Sequence, residues 1–449
     1  MKQPGVTAVT PTLDQRFADA MGAALGPDFP SDIALAVSGG GDSMAMLTLA
    51  HNWTHVWGVR LHVVTVDHGL RPEAADEARM VAQTCAELGW PHSTLRWNWD
   101  GQGNLMDAAR RARLSLIGGW RGDIRDVLMA HTADDMAETF LMRLARGAGV
   151  EGLSAMQPVR EVFEPGETRP MRIIRPCLDM RREELRHYLR VLKGTWADDP
   201  SNEDDSYDRV RARKLIARLE AEGELSGPDL TAAAKRMARA GEALRARALQ
   251  VWKEIAVATP PERVGDLLFD QSAFQTIERD TQLRLLSAAL QFVSGAEYRP
   301  REAPLEALLD RLLGGGGGTL HGCELRIERG RVAIFREYDA VRETVCAATQ
   351  NALWDGRWRL CLNAGQDAGK GTELRALGDD GWAQRDRTAP PPVPYHAARS
   401  APALFDGARL VACDAVALSG SAAPVFELCR SGRKGLSFAA FLQSGPQTG

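Results

Sequence analysis

The sequence predicts an α/β fold, in which a doubly wound parallel sheet is followed by a helical domain and a small mixed C-terminal region. Three observations support this prediction. From about 31 to 147, short apolar runs alternate with amphipathic stretches, which is typical of a parallel sheet with helices on both faces. From 229 to 313, one stretch with helical spacing follows another. After five glycines at 314–318, two β-prone runs flank a short turn.

The elements of the first part follow from these patterns in chain order. Strands are predicted for the apolar runs at 33–37, 60–67 and 126–131. Helices are predicted from residue 43 onward, over 72–88 and over about 104–120. Ligands of open parallel sheets bind beyond the carboxyl ends of the strands. Polar residues follow each predicted strand, at 38–43, 67–68 and 131–135. We therefore expect a ligand site at this edge of the sheet.

The length of 449 residues suggests several domains, since one domain usually has roughly 100–200 residues. We expect three segments: 1–218 with the sheet, 219–313 with helices, and 314–449 as a small mixed region that contains β-structure. The part after about 340 has a proline-rich stretch and no motif with a chemical meaning. The sequence leaves its function open, and it leaves the oligomeric state open as well.

Composition and charge narrow the class of protein. Hydrophobic residues make up 44% and charged residues 25%, as in ordinary globular proteins. The net charge of -4 excludes a general attraction to nucleic acid, so any such contact must come from local arginine clusters. The seven cysteines are never spaced Cys-x-x-Cys, which disfavours a disulfide framework and a zinc or iron–sulfur site. No signal peptide and no apolar run of roughly 18 residues is present, so we expect a cytoplasmic protein without membrane contact.

The stretch "SGGGDS" at 38–43 lies between a predicted strand and a predicted helix. Glycines there expose backbone N–H groups, and the helix adds its positive end, so the loop is suited to an anion. It lacks the lysine of a Walker loop and the Gly-x-Gly-x-x-Gly spacing of a dinucleotide fold. Ser38 and Ser43 can donate to phosphate oxygens, whereas Asp42 would reach phosphate through Mg²⁺. The alternative is a plain turn in which Asp42 or Ser43 caps the helix.

This loop resembles the pyrophosphate loop (PP-loop) of ATP pyrophosphatases, which split ATP to AMP and pyrophosphate. Four further stretches occur in the order seen in the tRNA(Ile)-lysidine synthetase family. They are "VDHGLRPEAADEA" (66–78), "DAARRARL" (107–114), "AHTADDMAETFLMRLARGAGVEGLSAM" (130–156), and "IIRPCLDMRREELRHYL" with "WADDPSNEDDSYDRVRARK" (173–214). The resemblance covers nearly all of 33–214 and identifies 1–218 as a PP-loop catalytic domain with an adenine nucleotide α-hydrolase-like fold.

The resemblance implies an ATP-dependent ligase that acts on the wobble cytidine of an AUA-decoding tRNA(Ile). The C2 carbonyl oxygen attacks the α-phosphate of ATP, and L-lysine then displaces AMP to give lysidine, which changes codon specificity from AUG to AUA. The implied ligands are ATP, Mg²⁺, L-lysine and a tRNA(Ile) with a CAU anticodon, and no protein partner is implied. The family's usual layout further implies that 215–449 grips the tRNA.

Site residues are carried over from the matching motifs. Expected catalytic residues are Asp42, Asp134, Asp135, Glu138 and Arg113. Expected nucleotide-binding residues are Ser38, Gly39, Gly40, Gly41, Asp42, Ser43, Asp67, His68 and His131. Expected metal ligands are Asp42 and Asp135. Asp134 and Glu138 are four apart on a predicted helix and share a face. The division of metal binding and proton transfer among Asp134, Asp135 and Glu138 stays open.

The acidic motif departs from the family's commonest form, His-His-x-Asp-Asp-Gln. Thr132 replaces the second His and Met136 replaces Gln, so no role is carried over to these two residues. Thr132 with Asp135 also has the spacing of a helix-capping box, which is the alternative explanation of the motif.

Two arginine-rich stretches suggest contact with RNA phosphates. We expect arginines 209, 211 and 213 to open a helix beside the tRNA backbone. Arginines 181, 182, 186 and 190 would extend the same basic surface. The alternative is a solvated, charged face.

Other functions remain open at this stage. Another PP-loop tRNA-modifying enzyme, such as a thiolase, would use paired cysteines or a cluster. An amidating synthetase for a small molecule would have little need of the arginine-rich segment. A catalytically inactive tRNA-binding protein would not need the acids at 42, 134 and 135.

Overall fold

The computed structural model describes residues 11–69, 73–99, 101, 105–162, 169–198, 207–259, 263, 265–362, 371–388, 390–418, 425–430, 433–434 and 437–443. It divides into two compact units, one that extends to Gly241 and one that begins at Glu242. The expected division at 218 and 313 stays a prediction. No helix of the described residues is both long and apolar enough to cross a membrane.

The first unit contains a six-stranded sheet of order β3-β2-β1-β4-β6-β5. Its strands are β1 Asp32–Ala36, β2 Arg60–Asp67, β3 His92–Arg96, β4 Asp126–Met129, β5 Val159–Val162 and β6 Met171–Ile174. All neighbours pair in parallel except β5, which is antiparallel to β6. The predicted α/β class with a parallel sheet is confirmed.

Helices precede, connect and follow these strands along the chain. They are α1 Leu13–Leu25, α2 Gly41–Trp57, α3 Ala74–Leu88, α4 Leu105–Trp120, α5 Ala133–Leu144, α6 Val150–Leu153, α7 Arg182–Val191, α8 Asp208–Ala221 and α9 Gly227–Ile255. The last of them, α9, continues into the second unit. Alternate residues of β1 face opposite sides: Ile33 and Leu35 join a core cluster with residues of α1, α2 and α7, whereas Ala34 joins a second cluster with Ile117 of α4. Apolar packing on both faces explains why the buried strands are continuous apolar runs.

The second unit combines helices with three four-stranded sheets. The helices are α10 Gln271–Gln275, α11 Arg279–Ser294, α12 Glu302–Leu313, α13 Gly378–Ala383, α14 Tyr395–Ala398 and α15 Phe438–Gln443. The first sheet, of order β7-β10-β9-β8, consists of β7 Leu267–Asp270, β8 Gly318–Leu320, β9 Cys323–Glu328 and β10 Arg331–Arg336. The second sheet, of order β11-β14-β15-β16, consists of β11 Cys346–Ala347, β14 Thr372–Ala376, β15 Pro402–Asp406 and β16 Arg409–Ala412. The third sheet, of order β12-β13-β17-β18, consists of β12 Leu353–Trp354, β13 Trp358–Cys361, β17 Val425–Arg430 and β18 Arg433–Lys434.

The structure confirms the predicted hairpin and corrects its surroundings. Strands β9 and β10 pair antiparallel around the turn, with Glu328 opposite Arg331. The region from 229 to 313 is not purely helical, because β7 lies within it and pairs with β10. The glycine run is a short connection: Gly314 follows α12, and Gly318 begins β8. A Cβ on Gly317 would lie 2.3 Å from the carbonyl oxygen of Leu325, so close backbone approach requires glycine there.

Candidate active site

The glycine loop connects β1 to α2 at the carboxyl edge of the sheet. The hydroxyl of Thr65 donates to the carbonyl oxygen of Val37 at 2.8 Å, which anchors the loop to β2. Gly39 has φ +91°, and a Cβ there would lie 3.3 Å from the Cβ of Glu77. Only glycine adopts this conformation without strain. Gly40 is the N-cap of α2, so the loop leads directly into the helix start, as expected.

The two serines of the loop stabilise its shape. The Ser43 hydroxyl donates to the carbonyl oxygen of Gly40 at 2.9 Å and accepts from the backbone N–H of Ser38 at 3.2 Å. The two serine hydroxyls are 3.2 Å apart. The Ser43 hydroxyl therefore stabilises the loop through hydrogen bonds to the loop's own backbone.

A second motif lies against the same loop. The backbone N–H of Ala197 donates to the carbonyl oxygen of Gly39 at 2.9 Å, and Ala197 forms a parallel bridge with Gly40. This contact places Ala197 of the "WADD" stretch beside the glycines, while Asp199 lies outside the described residues. The turn-forming residues 200–202 that follow it lie outside the described residues.

Helix α5 begins with the acidic motif. Thr132 is its N-cap, and its hydroxyl accepts from the N–H of Asp135 at 3.3 Å, while Asp135 Oδ2 accepts from the N–H of Thr132 at 2.9 Å. The capping box is therefore present. Met136, at the other departure from the family pattern, is buried among apolar residues. Capping uses only one oxygen of Asp135, so the structural and chemical explanations of the motif are compatible.

Three acidic side chains converge on Arg182. Its Nε donates to Asp42 Oδ2 at 3.1 Å, and its two terminal nitrogens donate to Glu138 Oε1 at 3.1 Å and Asp135 Oδ1 at 3.3 Å. Its backbone N–H donates to Asp134 Oδ2 at 2.7 Å. The four expected acids of α2 and α5 are thus brought together.

The expectation that Arg182 belongs to a basic surface was wrong. Its side chain is only 17% exposed, because it is the first residue of α7 and points to the acids. A sequence signal existed: a cation at the positive end of a helix is unfavourable unless acids neutralise it.

Glu138 is the most buried of these acids, with a side chain 2% exposed. Besides Arg182, it accepts from Arg213 Nε at 2.8 Å, and its other oxygen lies 3.5 Å from Arg209 Nε. Arg211 instead pairs with Asp208. Residues 209 and 213 are four apart on α8 and share a face that 211 does not share. Two of the three arginines expected beside RNA therefore contact the acidic cluster.

Burial and charge set the protonation of these groups. Burial raises the pKa of Asp42 above its ordinary value, more than the Arg182 guanidinium lowers it. Burial also disfavours the charged form of Asp135, but the guanidinium groups of Arg209 and Arg182 outweigh burial, so the pKa of Asp135 is lowered. Burial, reinforced by the charge of Arg175, lowers the pKa of His131 to about 4, so this imidazole is neutral near pH 7.

Asp67, at the end of β2, and His68, which follows it, also lie at the carboxyl edge of the sheet. Asp67 Oδ1 accepts from the N–H of Gly69 at 2.9 Å. His68 Nε2 lies 3.3 Å from a terminal nitrogen of Arg113, and its ring packs edge-on against Trp97 at 5.7 Å. Burial, with the charge of Arg113, lowers the pKa of His68 to about 4. The structure thus places Arg113 of α4 next to His68.

A carboxylate that binds a metal ion needs an oxygen atom that no hydrogen bond already occupies. Asp42 Oδ1 is buried and has no hydrogen-bond partner among the described residues. An uncompensated buried carboxylate oxygen fits a cation ligand. The same part of the chain holds no group of three or more His, Cys, Asp or Glu side chains suited to a metal ion. Mg²⁺ usually uses one or two carboxylates together with substrate phosphates, so Asp42 fits such a site, and Asp135 fits it once Oδ1 exchanges its contact with Arg182 for the cation.

A glycine loop at a helix start, set against acids at the carboxyl edge of a parallel sheet, defines a nucleotide-binding α/β protein of the PP-loop class. The PP-loop domain model matches residues 13–220. The chain is 41% identical over 401 residues to tRNA(Ile)-lysidine synthase from Ruegeria pomeroyi, covering 87% of this chain and 90% of that protein. It is 33% identical over 365 residues to tRNA(Ile)-lysidine synthase from Hyphomonas neptunium, covering 78% and 95%. The chain belongs to the tRNA(Ile)-lysidine synthase family.

Among solved structures, a U34-tRNA thiolase from Methanococcus maripaludis has a TM-score of 0.40 and 17% identity, covering 50% of this chain and 78% of that one. A likeness this low does not bear on the assignment. The family expected from the sequence motifs is confirmed by the tRNA(Ile)-lysidine synthases alone.

Proposed function

We propose that this chain attaches lysine to C2 of the wobble cytidine of an AUA-decoding tRNA(Ile) with a CAU anticodon, and that it splits ATP to AMP and pyrophosphate. Family membership and the PP-loop domain support an ATP-dependent ligase that forms lysidine. The residue roles rest on one observation, the convergence of Asp42, Asp135 and Glu138 beside the glycine loop.

In the first step, the C2 carbonyl oxygen attacks the α-phosphorus of ATP. A new P–O bond forms, the bond to the bridging oxygen breaks, and pyrophosphate leaves. The backbone N–H groups of Gly39, Gly40 and Gly41 are the donors for phosphate oxygens, as in other anion sites at helix starts. Mg²⁺, held by Asp42 and Asp135, would supply positive charge to the phosphates.

In the second step, the lysine side-chain nitrogen attacks C2. The C–N bond forms, the C–O bond breaks, and AMP leaves with the former carbonyl oxygen. The amine must lose a proton to attack. We assign this proton to Asp134, since it makes a backbone hydrogen bond to Arg182 rather than an ion pair, whereas Asp135 and Glu138 contact guanidinium groups.

We propose that the nucleoside part of ATP binds at the carboxyl edge of the sheet beside His131, His68 and Asp67. His131 and His68, both neutral near pH 7, can accept or donate hydrogen bonds without adding charge. Asp67 is the last residue of β2, directly before His68, and would lie near the ribose. Arg113, whose side chain is exposed next to His68, would reach the α-phosphate.

Residues 215–449 are proposed to grip the tRNA body and anticodon stem. Truncation at about 220 should then weaken tRNA binding and selectivity. Full affinity of the truncated chain would refute this part of the proposal alone.

A thiolase function has less support. Burial raises the pKa of Cys85 to about 11 and that of Cys177 to about 12, so neither is a ready thiolate.

The proposal is tested by incubation with ATP, radiolabelled lysine and a tRNA(Ile) transcript with a CAU anticodon. Label should enter the tRNA only when ATP is present. The matched control is the same transcript with uridine at the wobble position, which should take up none. No ATP-dependent label in the CAU transcript would refute the proposal.

A further inference from the structure

The side chain of Arg182, on helix α7, contacts acids of two other helices, α2 and α5. It extends from the first residue of α7 to Asp42 of α2 and to Asp135 and Glu138 of α5. Each of three guanidinium nitrogens meets a different carboxylate. A planar guanidinium has five N–H donors in a fixed arrangement, so one side chain can orient three acids at once.

The three acids differ in how many arginines they pair with. Glu138 also has Arg213 and Arg209 as partners. Within the described part of the chain, Asp42 and Asp135 form ion pairs with Arg182 and with no other side chain. Removal of Arg182 would leave Asp42 and Asp135 without an ion-pair partner among the described residues, and only the charges of Arg186 and Arg209, which form no ion pair with them, would offset the repulsion between the two carboxylates.

The Asp42 carboxylate is only half used by this contact. Arg182 binds Oδ2, while Oδ1 is buried and has no hydrogen-bond partner among the described residues. A buried carboxylate oxygen without a partner is costly, and a second positive group would relieve this cost. The guanidinium therefore binds one oxygen of a carboxylate whose other oxygen is buried without a compensating hydrogen bond among the described residues.

We infer that Arg182 is a positioning residue that takes the place of the divalent cation before the nucleotide binds. It holds Asp42 and Asp135 converging, and it releases Asp42 when ATP enters with its cation. The inference rests on the proposed ATP site and adds a step that precedes the reaction. The alternative is a purely structural ion pair that fastens α7 to α2 and α5.

The test measures binding of Mn²⁺ alone to the nucleotide-free, full-length protein by electron paramagnetic resonance. Arg182→Gln removes the competing cation, so its affinity for Mn²⁺ should rise about tenfold or more over that of the unmodified protein. Arg182→Lys keeps a charge but lacks the planar fork, so its affinity should rise several-fold. Arg190→Gln, an exposed change on the same helix, is the matched control and should bind Mn²⁺ as the unmodified protein does.

Circular dichroism separates binding from folding. If Arg182→Gln does not fold, Arg182→Lys decides the question. Unchanged Mn²⁺ affinity in a folded Arg182 variant would overturn the inference and leave the structural ion pair. Calorimetric binding of Mg²⁺–ATP to the unmodified protein is measured in parallel, because a lack of ATP binding there would refute the proposed function instead.

Discussion

Replacement of Glu138 by Gln tests whether the buried acidic cluster has the geometry described above. The change keeps the shape of the side chain and removes its charge. Glu138 is 2% exposed and accepts from Arg182 at 3.1 Å and from Arg213 at 2.8 Å. A Gln amide would keep one acceptor oxygen, but its NH₂ group would face Arg209, which lies 3.5 Å from Oε2.

The magnitude follows from these contacts. A hydrogen bond to a charged group contributes about 1.5–3 kcal/mol, against about 1 kcal/mol for a neutral one. Arg213 and Arg209 are partly exposed, so their share is screened by solvent. We expect a loss of about 2–3 kcal/mol in the free energy of unfolding of the first unit. For a unit of this size, that loss corresponds to a decrease in Tm of about 4–12 °C.

The assay is differential scanning calorimetry of the full chain, with attention to the transition of the unit that contains α5. Glu183→Gln is the matched control, since it makes the same chemical change at an exposed position of α7. The control should leave Tm nearly unchanged. If Glu138→Gln lowers Tm no more than Glu183→Gln does, the described ion-pair cluster does not stabilise the protein and the reasoning fails.

Three further outcomes are expected. Asp42→Ala should lower ATP-dependent AMP formation at least about a hundredfold and leave tRNA binding nearly unchanged, because it removes a group on the phosphate side of the site and no RNA contact. An assay of AMP release measures the first effect and filter binding of tRNA measures the second. Normal AMP release would contradict the role assigned to Asp42. Gly39→Ala should cost about 1–2 kcal/mol in urea unfolding, because φ is +91° and the new Cβ would lie 3.3 Å from that of Glu77; an unchanged midpoint would show that the loop relaxes. Burial and the charge of Arg113 hold the pKa of His68 at about 4, below its ordinary 6.5, so folding loses stability as the pH falls from about 6.5 to about 4. His68→Asn should remove this loss, and parallel urea curves of both proteins at about pH 7 and pH 5 check the sign, with equal pH dependence as the contrary result.

Local patterns were enough to predict the catalytic half of the fold. Residues 60–67 form β2 as predicted, because a short run rich in β-branched residues (63–66, Val-Val-Thr-Val) between turn formers favours a strand. The glycine loop and the acids at 134, 135 and 138 were also placed correctly at the carboxyl edge. Their roles in catalysis remain predictions.

What the sequence did not reveal depends on contacts between distant segments. Strand β7 is four residues long and is stable only because it pairs with β10, more than sixty residues later. Arg182 looked like one of several surface arginines. Its place at a helix start indicated that acids lie near it, but nothing in the sequence identifies Asp42, 140 positions earlier, as the partner at 3.1 Å. Long-range strand pairing determines that β7 forms, and burial beside distant acids determines the position of Arg182. Neither effect leaves a local sequence pattern as clear as that of β2 or the glycine loop.

The transfer of an oxygen atom tests the central claim most directly. A tRNA(Ile) transcript with ¹⁸O at the C2 carbonyl of its wobble cytidine is incubated with the enzyme, ATP and lysine, and the products are separated for mass spectrometry. If the base is adenylated through this oxygen and lysine then displaces AMP, the label appears in AMP, one atom for each lysidine formed, and pyrophosphate contains none. Label that stays in the modified tRNA or appears in pyrophosphate would contradict the mechanism.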